Sequence, residues 1–228
     1  YGLEGPYAGC VGTELDAQAM SGMAWALGEP GRSPLSLPPG VLAHQSGAAL
    51  AAGCLAAVLM RPRGGELVDV ALTDVLASYV AGNCRFYVHH GLSWARSGRR
   101  ASGSGGAYPF VILPCKDGDV CICGRTREEW QRLVKAMGNP AWAGEARYQR
   151  LRAMGQEYPE EVDRLLMPWL AERSQRELER IALEHALIVS PIRPMSDVLA
   201  TPHFEQSGFL REVSLHGDPV KVPSAPFK

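Results

Sequence analysis

Three groups of side chains in this sequence have types and spacings that can do chemistry. Cys121 and Cys123 are two apart, so on a strand both thiols share a face and make half a metal site. No His or carboxylate partners at suitable spacing complete it, and none of the six cysteines forms a CxxC pair. Reduced, packed thiols and no metal are the expectation. Gly103-Ser104-Gly105-Gly106 follows Arg96, Arg99 and Arg100 within one loop. Glycines let a backbone approach a ligand closely, and guanidinium forks suit phosphate. The same loop would serve equally well as a flexible, solvated interdomain linker. Glu14 and Asp16 lie close in sequence, but at this spacing on a helix they do not face each other as a paired-carboxylate dyad. Acids in a first turn complement the helix dipole without any further role.

These residues must be held by the elements around them. Leu15, Ala19, Met23 and Ala26 predict a helix over 14–27, stopped by Gly28 and Pro30. Leu42 to Met60 reads as a second, apolar helix. Gly47 and Gly53 inside it cost roughly 1 kcal/mol each in isolation, so they are expected where another backbone or a ligand comes close. Glu66 to Leu72 alternates like a short strand, and Thr73 can cap a helix running to Val88. One strand cannot make a sheet, so the rest of that layer is expected from sequence outside this stretch or from another chain. Residues 108–114 and 119–123 flank Lys116-Asp117-Gly118, a hairpin signal. Thr126 to Glu129 and Ser174 to Glu177 are capping boxes, Pro159 opens a further helix, and Leu187 to Ile192 is a candidate strand. Residues 108–192 therefore read as a small α/β domain, with Trp130, Trp142 and Trp169 in its core. A short helix over 196–200 and a hairpin around Gly217-Asp218 follow.

Composition sets the outer bounds. The chain has 228 residues, 46% of them apolar and 21% charged, with a net charge of −1. No basic excess points to nucleic acid. The longest apolar run, Ala48 to Met60, falls short of the roughly 18 residues a membrane span needs, so it is expected as a buried helix rather than a membrane contact. Tyr1 stands where an initiator Met would, with no charged region or signal core after it; a stretch of a longer chain is the expectation. The unpaired cysteines suggest a reducing cytoplasm.

Six segments in order resemble class III CoA transferases, the CaiB/BaiF type that includes formyl-CoA and carnitine-CoA transferases. They are Gly5-Pro6-Tyr7; Gln18-Ala19-Met20-Ser21-Gly22 followed by Gly28-Glu29-Pro30; Leu67-Val68-Asp69-Val70; Pro114-Cys115-Lys116-Asp117-Gly118; Trp130 to Pro140; and Leu199 to Phe204. The resemblance implies an α/β fold in which a large nucleotide-fold domain, built from both chain ends, carries a small α/β domain from the middle. Residues 1–90 would be the end of the large domain's first half, 91–107 a glycine-rich linker, 108–192 the small domain and 193–228 the return. It also implies two interlocked subunits, as a homodimer or as a heteromer with a paralogous subunit. The substrates would be an acyl-CoA and a carboxylic acid, with coenzyme A entering as a thioester and no resident cofactor.

In that family an Asp carboxylate attacks the acyl-CoA thioester to give a mixed anhydride, and the released thiolate then forms an enzyme-bound thioester. Counting forward from Gln18 and back from Gly47 places the family's Asp at Ala43, which carries no nucleophile. His44 is adjacent, but in a helix it points about 100° away; it would act as a base or a CoA contact only if this segment were not helical. Glu14 matches a position where the family often has an acidic residue beside an aromatic one, replaced here by Thr13. Gly103, Gly105 and Gly106 match the glycine loop that closes over the site, and Arg96 and Arg99 are candidate CoA contacts. The related α-methylacyl-CoA racemases use an Asp at the same place, so Ala43 weighs against that activity too. The expectation is thus an acyl-CoA transferase lacking its usual nucleophile, with a non-catalytic partner subunit or an acyl-CoA-binding module as the alternative and an acyl-CoA racemase relative as a further one.

Overall fold

The computed structural model describes residues 1–60, 65–91, 96–100 and 106–225. Its first part is helical: α1 (Glu14–Met20), α2 (Met23–Ala26), α3 (Val41–Met60), α4 (Leu72–Tyr79) and α5 (Ala81–His90). The single helix expected over 14–27 is two, because the chain turns at Ser21-Gly22 and restarts with Gly22 at φ 83°. The helix expected from Thr73 to Val88 is likewise split at Val80, and its N-cap is Ala71, two residues before Thr73, with no side-chain cap bond.

Residues 65–71 form no strand. A β-alternation becomes a strand only beside a partner edge, and no partner lies there among the described residues. The helix α3 exceeds the apolar run read from the sequence. It has 20 residues, long and apolar enough by length and composition alone to cross a membrane. It is also not the buried helix expected. Leu42 is its one buried residue among those described, packed with Ala17 and Leu76. The reason is cover: within this chain α3 packs mainly on α4. Of its two glycines, Gly53 meets the expectation. A Cβ there would lie 2.9 Å from the Val68 side chain, closer than packing tolerates, whereas Gly47 faces open space.

The second part is a separate core. Strands β1 (Phe110–Pro114), β2 (Asp119–Cys123) and β3 (Ile188–Pro191) form one antiparallel sheet in that order, with Ile112 opposite Cys121 and Ile122 opposite Val189. Helices α6 (Arg127–Ala136), α7 (Leu151–Gln156), α8 (Pro159–Ala171) and α9 (Gln175–His185) surround it. Two 3-10 turns over 141–149 and the short α7 carry no periodic signal in sequence. Val111, Leu113, Val120 and Ile122 meet Leu166 and Leu170 of α8 in a dry interior. Trp130 is fully buried there, with Trp142 and Trp169 packed against it. The chain continues through α10 (Met195–Leu199) and α11 (Pro202–Gln206) to a hairpin of β4 (Leu210–Leu215) and β5 (Asp218–Pro223). Its turn residues His216 and Gly217 both have positive φ, as a two-residue hairpin turn matching strand twist requires.

Both capping boxes form. The Ser174 N–H and hydroxyl each donate to Glu177 at 2.8 Å, and these bonds hold the Glu177 carboxyl below its ordinary range. A carboxylate so depressed contributes stability that is complete above its unfolded value of about 4.3 and is lost as pH falls through the lower folded one. Unfolding followed against pH is therefore expected to weaken below about pH 4, with Glu177→Gln removing part of that acid dependence.

Candidate functional site

The entry of α3, where the family's carboxylate would stand, is fixed from α1. Thr13 caps α1 in a reciprocal box with Asp16: the Thr13 N–H donates to the Asp16 carboxylate at 2.8 Å, and the Thr13 hydroxyl at 2.6 Å. With its start pinned, α1 sends two side chains one turn apart across to the incoming segment. Glu14 Oε2 accepts from the Gly40 N–H at 2.9 Å and Oε1 from the Ala43 N–H at 3.0 Å. Gln18, only 2% exposed, accepts from the Leu37 N–H at 2.8 Å. Glu14 thus supplies the first turn of α3 with acceptors its own backbone lacks.

The sequence motif and the structure meet here. Ala43 is at the helix entry, and the carboxylate touching it comes from Glu14 rather than from residue 43 itself. His44 lies within α3, so the condition for its acting beside Ala43, a non-helical segment, is not met. Its Nδ1 is 2.6 Å from the Gly40 carbonyl oxygen; a carbonyl only accepts, so Nδ1 is the protonated nitrogen.

The arginines are engaged within the chain. The Arg96 guanidinium lies 4.8 Å from the Trp25 ring centre and donates to the Trp25 carbonyl at 3.1 Å, which ties the linker to α2. Arg99 and Arg100 donate to one carboxylate oxygen of Asp163 at 3.0 and 2.5 Å. The Tyr108 hydroxyl donates to the other. Asp163 is 1% exposed, so this is a buried carboxylate answered by three donors. Burial, followed by the Asp163 carboxylate, pushes the Tyr108 hydroxyl well above its ordinary value, which keeps it a donor. Gly106 packs its carbonyl on Gly155 of α7, where a Cβ would come within 2.7 Å of it. Gly103 and Gly105 lie outside the described residues.

Asp163 was not singled out from sequence, although a signal exists. It sits three residues before Leu166 and seven before Leu170, on the apolar stripe of α8, where an unpaired acid would be costly. No group of three or more His, Cys, Asp or Glu among the described residues is placed to hold a metal. Burial pushes both the Cys121 and Cys123 thiols up, away from the thiolate form that a metal needs.

The family description "CoA-transferase family III" matches residues 1–228, and this chain belongs to that family. It is 26% identical over 235 residues to the probable fatty acyl-CoA transferase Rv3272 of Mycobacterium tuberculosis, covering 99% of this chain and 59% of that protein. It is 26% identical over 241 residues to the succinyl-CoA:(R)-benzylsuccinate CoA-transferase subunit BbsE of Thauera aromatica, covering 100% of this chain and 57% of that one. The crystal structure of Rv3272 in an orthorhombic form superposes with a TM-score of 0.83 at 24% identity, over 100% of this chain and 60% of that chain. The fold is therefore the α/β fold of CaiB/BaiF proteins, and this chain spans under two thirds of the relatives it matches.

Two outcomes follow from the geometry. Asp163→Ala removes the acceptor shared by Arg99, Arg100 and the Tyr108 hydroxyl; urea unfolding is expected to show a loss of about 3–5 kcal/mol. Glu14→Ala frees the Gly40 and Ala43 amides, and hydrogen exchange at both is expected to accelerate while the amides of α8 hold their protection.

Proposed function

We propose that the full-length protein is a subunit of an acyl-CoA transferase, moving coenzyme A between an acyl-CoA and a carboxylic acid, and that this subunit does not supply the nucleophile. The observation that carries this reading is Ala43 at the entry of α3, its N–H bonded to Glu14. A methyl group cannot form the anhydride, and the carboxylate at that helix end serves as its cap. A paralogous subunit with Asp at the matching position would perform the covalent step. The naming of one relative as a subunit of a CoA transferase supports the reading. In it, α3 is an internal helix, its bare face covered by the rest of the fold, and the two subunits interlock. The free thiols of Cys10, Cys54, Cys115, Cys121 and Cys123 support a cytoplasmic location.

Glu14 itself offers a second reading, because its carboxylate is the one bonded to the α3 entry among the described residues. It would then be the nucleophile of a self-sufficient enzyme. Purified full-length protein, alone and mixed with an Asp-bearing paralogue, separates the two. Turnover of an acyl-CoA panel is expected in the mixture only, with a hydroxylamine-sensitive adduct on the paralogue. Turnover by the protein alone, abolished in Glu14→Gln, would favour the second reading. Ala43→Asp is expected to acquire a CoA adduct visible by mass spectrometry; absence of an adduct on any subunit would end the covalent scheme.

A further inference from the structure

Residues 96–100 run between the two parts of the structure and bond to both. The main packing partners of α1–α5 are one another, and those of the β1–β3 sheet are α8 and α9. On the helical side the Gly98 N–H donates to the Gly28 carbonyl at 2.9 Å, and Arg96 donates to the Trp25 carbonyl at 3.1 Å. Gly98 has φ 59°, and a Cβ there would strike the Glu29 carboxylate, so this hook requires glycine. On the sheet side the Ile112 N–H donates to the Arg99 carbonyl at 3.0 Å, and Arg100 bridges to Val111 in antiparallel fashion. The Arg100 N–H donates to the Ser97 carbonyl at 3.1 Å, which closes the segment into a turn and ties its two sides together.

The seat of this segment is Asp163. Arg99 and Arg100 reach one carboxylate oxygen from before residue 101, and the Tyr108 hydroxyl reaches the other from beyond residue 105. A buried charge is stable when every partner is present and costly when one is lost. Departure of one donor therefore favours entry of water and departure of the others. Two further features lower the cost of that step. Arg96 Nε and Arg100 Nε are buried without a partner, and exposure to water relieves that penalty. The Arg99 side chain is already 46% exposed, so water stands beside the carboxylate it serves.

We propose that residues 96–100 and Tyr108 form a strap that opens as one unit, seated by Asp163, and that its opening releases the hooks at Gly28 and Trp25 while the β1–β3 core stays folded. The opening is a local, cooperative event of the kind that hydrogen exchange resolves. It joins two places that share no direct bond: a change at Tyr108, after residue 105, is felt at Gly98, before residue 101. The coupling is reciprocal, so loosening the Gly98 hook is felt at Tyr108. Because both flanks of residues 101–105 rest on one carboxylate, a single opening frees the chain on either side of them. None of this depends on which reaction the full-length protein performs.

The test is hydrogen exchange on the full-length protein, read at single amides by mass spectrometry with gas-phase fragmentation. Tyr108→Phe and Arg100→Gln each remove one bond to the charged seat. Each is expected to speed exchange of the Gly98 amide at least about tenfold, with the amides of β2 unchanged. Gly98→Ala breaks the helical hook without touching Asp163, and is expected to speed the Tyr108 amide, which bonds to the Leu151 carbonyl. Tyr148→Phe is the control. It removes a similar bond, from the Tyr148 hydroxyl to Glu161 on the same helix as Asp163, and is expected to leave Gly98 unchanged. A Gly98 rate unaffected by Tyr108→Phe or by Arg100→Gln would overturn the strap, as would a Tyr108 rate unaffected by Gly98→Ala. Acceleration of β2 in step with Gly98, or of Gly98 in the control, would show a general loss of stability instead and would overturn it equally.

Discussion

Asp163 is the point on which the joined halves of this structure depend. It lies buried in α8 and takes donors from Tyr108, Arg99 and Arg100. A lone carboxylate in that core would be costly, and a half-answered one nearly as much so. The three donors are Arg99, Arg100 and Tyr108, so satisfying Asp163 fixes where those residues lie. From there the path continues outward. The Gly98 N–H donates to the Gly28 carbonyl at 2.9 Å, and Arg96 covers Trp25. The segment that answers Asp163 is thereby joined to α2 and to Gly28.

The elements of the β1–β3 core were legible because the sequence there is locally consistent. The hairpin around Lys116-Asp117-Gly118, the two capping boxes and the Pro159 helix each state their structure within a few residues, and packing agrees with each. The 66–72 alternation failed for the opposite reason. A strand is a relation between two segments, and its pattern says nothing about whether the second is present. The exposure of α3 was misjudged on the same ground, since an apolar helix reports what it needs rather than what it has. The branching of 14–27 into two helices turned on Ser21-Gly22, within a stretch whose periodicity runs straight through.

The candidate site was half legible. Counting from Gln18 and from Gly47 points to Ala43, because both spacings belong to the chain. That Glu14 would reach the same helix end could not, since the two are joined through space across residues 15–42. The phosphate-like arginines read from sequence, Arg96 and Arg99, proved to have partners at home.

On the proposed reading, Glu14 shows how a site keeps its frame without a nucleophile at residue 43. A helix entry needs acceptors for its first N–H groups whatever reaction occurs there. A carboxylate reaching in from α1 answers that need, and the need persists when residue 43 is alanine. Selection for folding alone can therefore preserve Glu14, the Thr13–Asp16 box and the Gln18 contact in a subunit that performs no covalent step. Persistence of this frame is evidence for the fold, and the nucleophile must be argued separately. A subunit that contributes binding surface without the anhydride chemistry requires no rearrangement of what is observed around Ala43. A self-sufficient enzyme requires Glu14 to leave the Gly40 and Ala43 amides and expose an oxygen to the thioester, at the cost of uncapping α3.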